Sequence, residues 1–155
     1  LECRGATLFV GYLNQPDLMT ESFTPDGWFR TGDRAVMDAD GYIKITGRSK
    51  DIIIRGGENI PVSYLEDVLH EHPDVQAVAL VAKPDPRLQE RVCAFIVQRP
   101  ASQPLSLSDL QTFLREKGVS KHYWPEFVRV VAELPRTPSG KIQKYKLREQ
   151  LLAEG

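Results

Sequence analysis

The spacing of apolar positions changes several times along the chain, and each change marks an element. Thr7 to Val10 is a short apolar run that predicts a strand. Asn14-Gln15-Pro16-Asp17 is turn chemistry, and Pro16 suits the first position of a short helical stretch reaching Phe23. Pro25-Asp26-Gly27 is a further turn. Asp38-Ala39-Asp40-Gly41 separates Arg34–Met37 from Tyr42–Thr46, which predicts a β-hairpin with Gly41 in the left-handed region. Ile43 and Ile45 alternate with Tyr42, Lys44 and Thr46, so one face of that hairpin is expected to be buried.

The pattern becomes richer after Gly47. Ile52 to Ile54 predicts a buried strand, followed by a flexible loop, Arg55-Gly56-Gly57-Glu58-Asn59. Ser63 and Glu66 match a capping box. Leu65, Val68, Leu69 and His72 then fall at helical spacing, and Pro73 stops the helix. Val75–Ala82 and Val92–Gln98 predict two strands, joined by a proline-containing loop from Lys83 to Arg91. Residues 99–106 form a polar connection. Ser108–Lys117 predicts an amphipathic helix with Leu110, Phe113 and Leu114 as its stripe, Ser108 and Gln111 as its capping box, and Gly118 as its stop. Phe127–Val131 predicts a strand, and residues 144–153 a final helix with Leu147, Leu151 and Leu152 inward. No internal repeat emerges.

Two unequal pieces follow. Residues 1 to 49 read as all-β without a core of their own. Residues 50 to 155 alternate strands and helices and predict a self-sufficient α+β domain around a small mixed sheet. The chain opens on Leu1 in a segment that reads as the middle of a sheet, so a piece of something larger is expected.

Composition narrows the function. The 155 residues are 41% hydrophobic and 26% charged, as in a globular protein. A net charge of −1 argues against general nucleic-acid binding. No apolar run approaches the roughly 20 residues that span a bilayer, and no signal peptide is expected. Cys3 and Cys93 lie far apart without metal spacing, which predicts reduced thiols and a cytoplasmic setting.

Three segments carry candidate chemistry. Leu134-Pro-Arg-Thr-Pro-Ser-Gly-Lys-Ile-Gln143 holds Lys141 on a turn stiffened by two prolines. It is not a Walker A loop, because Pro135 stands where the first glycine belongs and Ile142 replaces the metal-binding hydroxyl. Lys141 is either a cation for developing phosphoryl or carboxylate charge or an exposed loop lysine. In Trp28-Phe-Arg-Thr-Gly-Asp33, Asp33 is either an acceptor for vicinal ribose hydroxyls or a turn aspartate. Arg48 is either a ligand for ribose or phosphate oxygens or a surface ion-pair partner. Gly56 and Gly57 permit close approach of a thin ligand, or simply connect two elements.

Taken in order, TGD at 31–33, GRSKDIIIRGGENI at 47–60 and PRTPSGKIQK at 135–144 resemble the adenylate-forming superfamily of acyl-CoA synthetases and related ligases. GATLFVGYLNQPDLMTESF upstream is similar to it as well, and GGENIP is most similar to bacterial short- and medium-chain acyl-CoA synthetases and cyclohexanecarboxylate-type CoA ligases. The resemblance implies a two-step reaction: ATP and a carboxylate give an acyl-adenylate and pyrophosphate, then CoA displaces AMP. It implies that residues 1–49 end a large N-terminal domain, as strands of its β-barrel subdomain. Residues 50–155 would be a mobile C-terminal lid. Asp33 would bind the ribose of ATP or AMP, and Arg48 would hold the nucleotide. Lys50 would be the hinge, Gly56 and Gly57 would face the CoA tunnel, and Lys141 would be the adenylation lysine. In some relatives that lysine is reversibly acetylated. ATP, AMP, CoA and a carboxylate are the implied small-molecule partners, with Mg2+ held by the N-terminal domain.

Ile54 departs from the pattern, since many members carry lysine a few residues after the hinge. The family's phosphate loop, adenine-binding segment and acyl pocket have no counterpart in these residues, so the chain alone is expected to be inactive. The lid of an adenylation domain that loads a carrier protein, and a non-catalytic α+β binding module, are the alternatives.

Overall fold

The computed structural model describes residues 1–100 and 103–153, so part of the predicted polar connection lies outside the described residues. The chain divides into two compact units, Leu1–Lys50 and Asp51–Gly155.

In the first unit, β1 (Glu2–Cys3) pairs antiparallel with β2 (Phe29–Arg30), α1 spans Pro16–Ser22, and β3 (Asp33–Met37) pairs antiparallel with β4 (Ile43–Arg48). Pro16 opens α1, and Gly41 closes the β3–β4 hairpin at φ 86°. Thr7–Val10 is not a strand; it is irregular, with Val10 fully exposed. Phe9 instead meets Tyr12, Phe23 and Phe29 at centroid distances of 4.9, 5.8 and 5.1 Å. Phe9 stays 41% exposed, so edge-on ring contacts hold this segment, and its β-propensity goes unused because it has no strand to pair with. The hairpin's isoleucine face is not buried either: Ile43 is 54% and Ile45 52% exposed. A two-stranded ribbon needs another layer to cover a face, and this unit supplies none. No residue from Leu1 to Lys50 is fully buried.

The second unit contains β5 (Ile53–Arg55), β6 (Glu58–Ile60), α2 (Val62–His70), β7 (Val75–Asp85), β8 (Gln89–Gln98), α3 (Leu107–Glu116), β9 (Phe127–Val130) and α4 (Lys144–Ala153). Its sheet runs β6-β5-β8-β7, with β9 parallel to β8 over Cys93–Ile96, so it is a small mixed sheet. Residues of β7 and β8 alternate between two cores. Val78, Leu80, Val92, Ala94 and Ile96 meet Leu65 and Leu69 of α2 and Leu110 and Leu114 of α3. Ala79, Val81, Cys93 and Phe95 meet Leu147 and Leu151 of α4. Helices on both faces explain why these strands are apolar without interruption rather than alternating.

Several boundaries differ from the sequence reading. The loop expected at Lys83–Arg91 shrinks to residues 86–88, because β7 and β8 remain paired to Asp85↔Gln89. Ile53 is buried but Ile54 is 42% exposed, as alternation in a strand covered on one side requires. Arg55–Asn59 is not a loose loop: Gly56 and Gly57, at φ 59° and 87°, form a two-residue hairpin turn between β5 and β6. The capping box at Ser63 and Glu66 is absent, since α2 already begins at Val62 and Glu66 is used elsewhere. α2 ends at His70; His72 is buried beyond it, and its Nδ1 accepts the Asp74 N–H at 3.1 Å. The α3 capping box is Ser106 with Asp109, two residues before the pair expected. Asp109 returns a carboxylate to the Ser106 N–H, a stronger acceptor than the Gln111 amide. Gly118 ends α3 at φ 72°, as predicted. Leu152 is 62% exposed, so only Leu147 and Leu151 of α4 face inward.

Candidate active site

Lys141 ends a turn closed on itself by hydrogen bonds. The Thr137 N–H donates to the Lys141 carbonyl at 2.8 Å, and the Gly140 N–H donates to the Thr137 carbonyl at 2.8 Å. The Lys141 N–H donates to Thr137 Oγ1 at 3.1 Å, and Arg136 Nη1 donates to the Gly140 carbonyl at 2.7 Å. Gly140 adopts φ 85°, which the chain can supply cheaply only with glycine. Pro138 further stiffens the tip. Lys141 is exposed, and its ammonium has no partner among the described residues. The backbone is held while the charge stays available.

The turn is anchored through α4. Lys144 Nζ lies 2.8 and 3.0 Å from the two carboxylate oxygens of Glu66 in α2. Glu66 Oε1 also accepts the Leu80 N–H at 2.6 Å. Burial pushes the Glu66 carboxyl above its ordinary value, with Lys144 opposing the rise. Arg148 Nη2 lies 2.7 Å from Asp51 Oδ1.

Asp33 and Arg48 occupy paired positions on β3 and β4, and Arg48 Nε donates to Asp33 Oδ1 at 3.1 Å. Arg48 is therefore an ion-pair partner, and the carboxylate it meets is the other predicted nucleotide-binding residue. The Arg48 side chain is 59% exposed, so the pair contributes little to stability and both groups remain reachable. Lys50 lies in the 3-10 turn Ser49–Asp51, at the boundary of the two units. Gly56 and Gly57 form the exposed β5–β6 turn, where a Cβ on Gly57 would meet nothing within 4 Å. Among the described residues no cluster of His, Cys, Asp and Glu forms a metal site. No helix among them is long and apolar enough to cross a membrane.

Sequence reasoning missed the charged residues flanking the glycine turn. Arg55 Nε and Nη2 donate to Glu126 Oε1 at 3.1 and 2.8 Å. Arg91 Nη1 lies 3.5 Å from the same oxygen, and Arg91 Nε lies 2.6 Å from Asp85 Oδ2. Arg55 and Glu126 are 71 positions apart, a separation no local period or motif signals.

Residues 64–141 match the AMP-binding enzyme C-terminal domain. The chain belongs to the AMP-binding, adenylate-forming enzyme family. Among its relatives, a medium-chain fatty-acid–CoA ligase from Escherichia coli (strain K12) is 46% identical over 96% of the chain and 26% of its own length. A mitochondrial medium-chain acyl-CoA ligase from Bos taurus is 44% identical over 96% of the chain and 24% of its own length. The chain thus spans about a quarter of the length of these curated relatives. Among solved structures, ATP-bound MatB from Rhodopseudomonas palustris superposes with a TM-score of 0.86 at 32% identity, over 96% of this chain and 29% of that one. The anthranilate CoA ligase AuaEII in complex with anthranoyl-AMP gives 0.87 at 32% identity, over 99% of this chain and 30% of that one. The α+β fold of the chain is that of the adenylate-forming family.

Proposed function

We propose that the chain is the C-terminal part of an acid–CoA ligase, with Asp51–Gly155 acting as a lid over an active site whose other half lies in a large N-terminal domain. In the first half-reaction a carboxylate oxygen attacks the α-phosphorus of ATP. An O–P bond forms, the bond to pyrophosphate breaks, and an acyl-adenylate results. In the second, the CoA sulfur attacks the acyl carbon, the bond to AMP breaks, and the thiol proton leaves to solvent. Lys141 stabilises the charge that gathers between carboxylate and α-phosphate. Asp33 accepts from the ribose hydroxyls, and Arg48 moves from Asp33 toward nucleotide oxygens. Lys50 is the hinge, and the Gly56–Gly57 turn faces the CoA thiol arm. Magnesium enters with ATP and is held by the N-terminal domain.

The observation that carries this reading is Lys141: an ammonium with no partner among the described residues on a hydrogen-bonded turn, in a chain that belongs to the AMP-binding family. The names of the two curated relatives support a medium-chain fatty acid as substrate. In the complete ligase, Lys141→Ala should lower carboxylate-dependent ATP–pyrophosphate exchange by about a hundredfold or more. Thioester formation from supplied acyl-adenylate should largely survive. Equal loss of both half-reactions would refute this role. The 155-residue chain alone should show no such exchange.

A further inference from the structure

The Gly56–Gly57 turn sits inside a closed ring of polar contacts. The Gly56 N–H donates to the Leu88 carbonyl at 2.8 Å. The Leu88 N–H donates to Asp85 Oδ1 at 2.8 Å, and the other Asp85 oxygen holds Arg91 at 2.6 Å. Arg91 reaches Glu126 Oε1 at 3.5 Å, Glu126 Oε1 accepts from Arg55, and Arg55 is covalently next to Gly56. The ring therefore returns to the glycine where it began. Two more contacts tighten it: Arg55 Nη1 donates to the His122 carbonyl at 3.1 Å, and the Val92 N–H donates to Glu126 Oε2 at 3.3 Å.

This differs from a surface ion pair in kind. Arg55, Glu126 and Asp85 side chains are 22%, 17% and 16% exposed, so solvent screens them poorly. Glu126 lies between two guanidinium groups, and removing it would take from partly buried Arg55 its carboxylate, while Arg91 would keep Asp85. Gln89, opposite Arg55, holds φ 67°, a conformation that side-chain-bearing residues rarely adopt and that persists only where the surroundings enforce it. An isolated two-glycine turn would sample many conformations. Here its first amide is fixed from one side by the β7–β8 tip and from the other by Arg55.

We propose that Glu126, with Arg55, Arg91 and Asp85, is a clasp that positions the Gly56–Gly57 turn for the CoA half-reaction, and that Glu126 is its central positioning residue. The proposal rests on the reading above, in which that turn faces the thiol arm. Two measurements separate the parts. Hydrogen exchange on the 155-residue chain reads the clasp itself. In Glu126→Ala the Gly56 amide should exchange roughly tenfold faster or more, while core amides of β7 and β8 keep their rates. If that variant does not fold, Glu126→Gln keeps the volume and should show a smaller change in the same direction. An unmoved Gly56 rate in a folded variant overturns the clasp.

In the complete ligase, Glu126→Ala should raise the KM for CoA about tenfold with supplied acyl-adenylate and leave pyrophosphate exchange within about twofold. Gly57→Ala is the reference for the turn. If Gly57→Ala raises that KM and Glu126→Ala does not, the positioning role is wrong. If Gly57→Ala also leaves it unmoved, the assignment of the turn to CoA is what fails, and the positioning role falls with it.

Discussion

Single residues here are set by what their neighbours do to them. Asp85 accepts the Leu88 and Arg87 N–H groups and pairs with Arg91, which together hold its carboxyl below the ordinary 3.8. A carboxylate depressed on folding contributes stability that is present above its unfolded pKa and is lost as pH falls through the lowered folded value. The Tm difference between the natural chain and Asp85→Asn should therefore be full near neutral pH and should shrink to nothing well below pH 3.8. A difference that persists unchanged in acid would show that Asp85 acts through packing alone. Gly140 offers a second test. A Cβ there would meet nothing within 4 Å, so Gly140→Ala should cost about 1–2 kcal/mol through its positive φ alone. Chemical denaturation would measure it, and Gly140→Asn should cost less. The left-handed glycines at 41 and 118 were legible from turn and helix-stop chemistry. The use of Glu66 was not: its sequence position fits a capping box, but a tertiary neighbour, Lys144, claimed it.

At the scale of elements, the helices of the larger unit were right in kind and wrong in register, whereas the strand expected at Thr7–Val10 and the loop expected at Arg55–Asn59 were wrong in kind. α3 had two overlapping Ser-x-x-polar candidates, and the structure uses Ser106 with Asp109. Ser106→Ala should cost about 1 kcal/mol of stability, and Gln111→Ala should not disturb the cap. No loss on Ser106→Ala in equilibrium unfolding would contradict the observed cap, and any cost of Gln111→Ala belongs to its hydrogen bond with the Pro125 carbonyl at 3.0 Å. α4 shows a different dependence. Its polar anchor on α2 is the Lys144–Glu66 pair, and Lys141 stands three positions before Lys144. Lys144→Met in the complete ligase should lower pyrophosphate exchange about tenfold by loosening the Lys141 turn, while thioester formation from supplied acyl-adenylate stays within about twofold. An unchanged exchange rate would mean that the turn's own hydrogen bonds are sufficient to place Lys141. Periodicity predicted that α4 exists but placed Leu152 inward, because a ten-residue helix with few apolar positions leaves its buried stripe ambiguous.

Across the whole molecule, burial is unequally shared. Every fully buried residue among those described lies between Ile53 and Leu151, and Leu1–Lys50 holds only an aromatic cluster and an exposed isoleucine face. Residues 51–155 expressed alone should therefore unfold cooperatively, and residues 1–50 alone should not. A cooperative thermal transition in the shorter piece would overturn this. Within the larger unit, Leu80→Ala should cost about 2–5 kcal/mol, since Leu80 is fully buried between the sheet and its helices.

The sequence by itself determined the helices and all strands but β6 of the larger unit, its α+β class, and the three ordered motifs that point to adenylate-forming chemistry. Those features are local: period, turn residues and short spacings suffice to write them. Only the tertiary structure decided that Arg48 meets Asp33, that Lys144 anchors the Lys141 turn to Glu66, and that Arg55 and Glu126 close a ring around Gly56. Each of these joins charges distant in sequence, and nothing in a local pattern says which carboxylate a given cation will reach once the chain has folded.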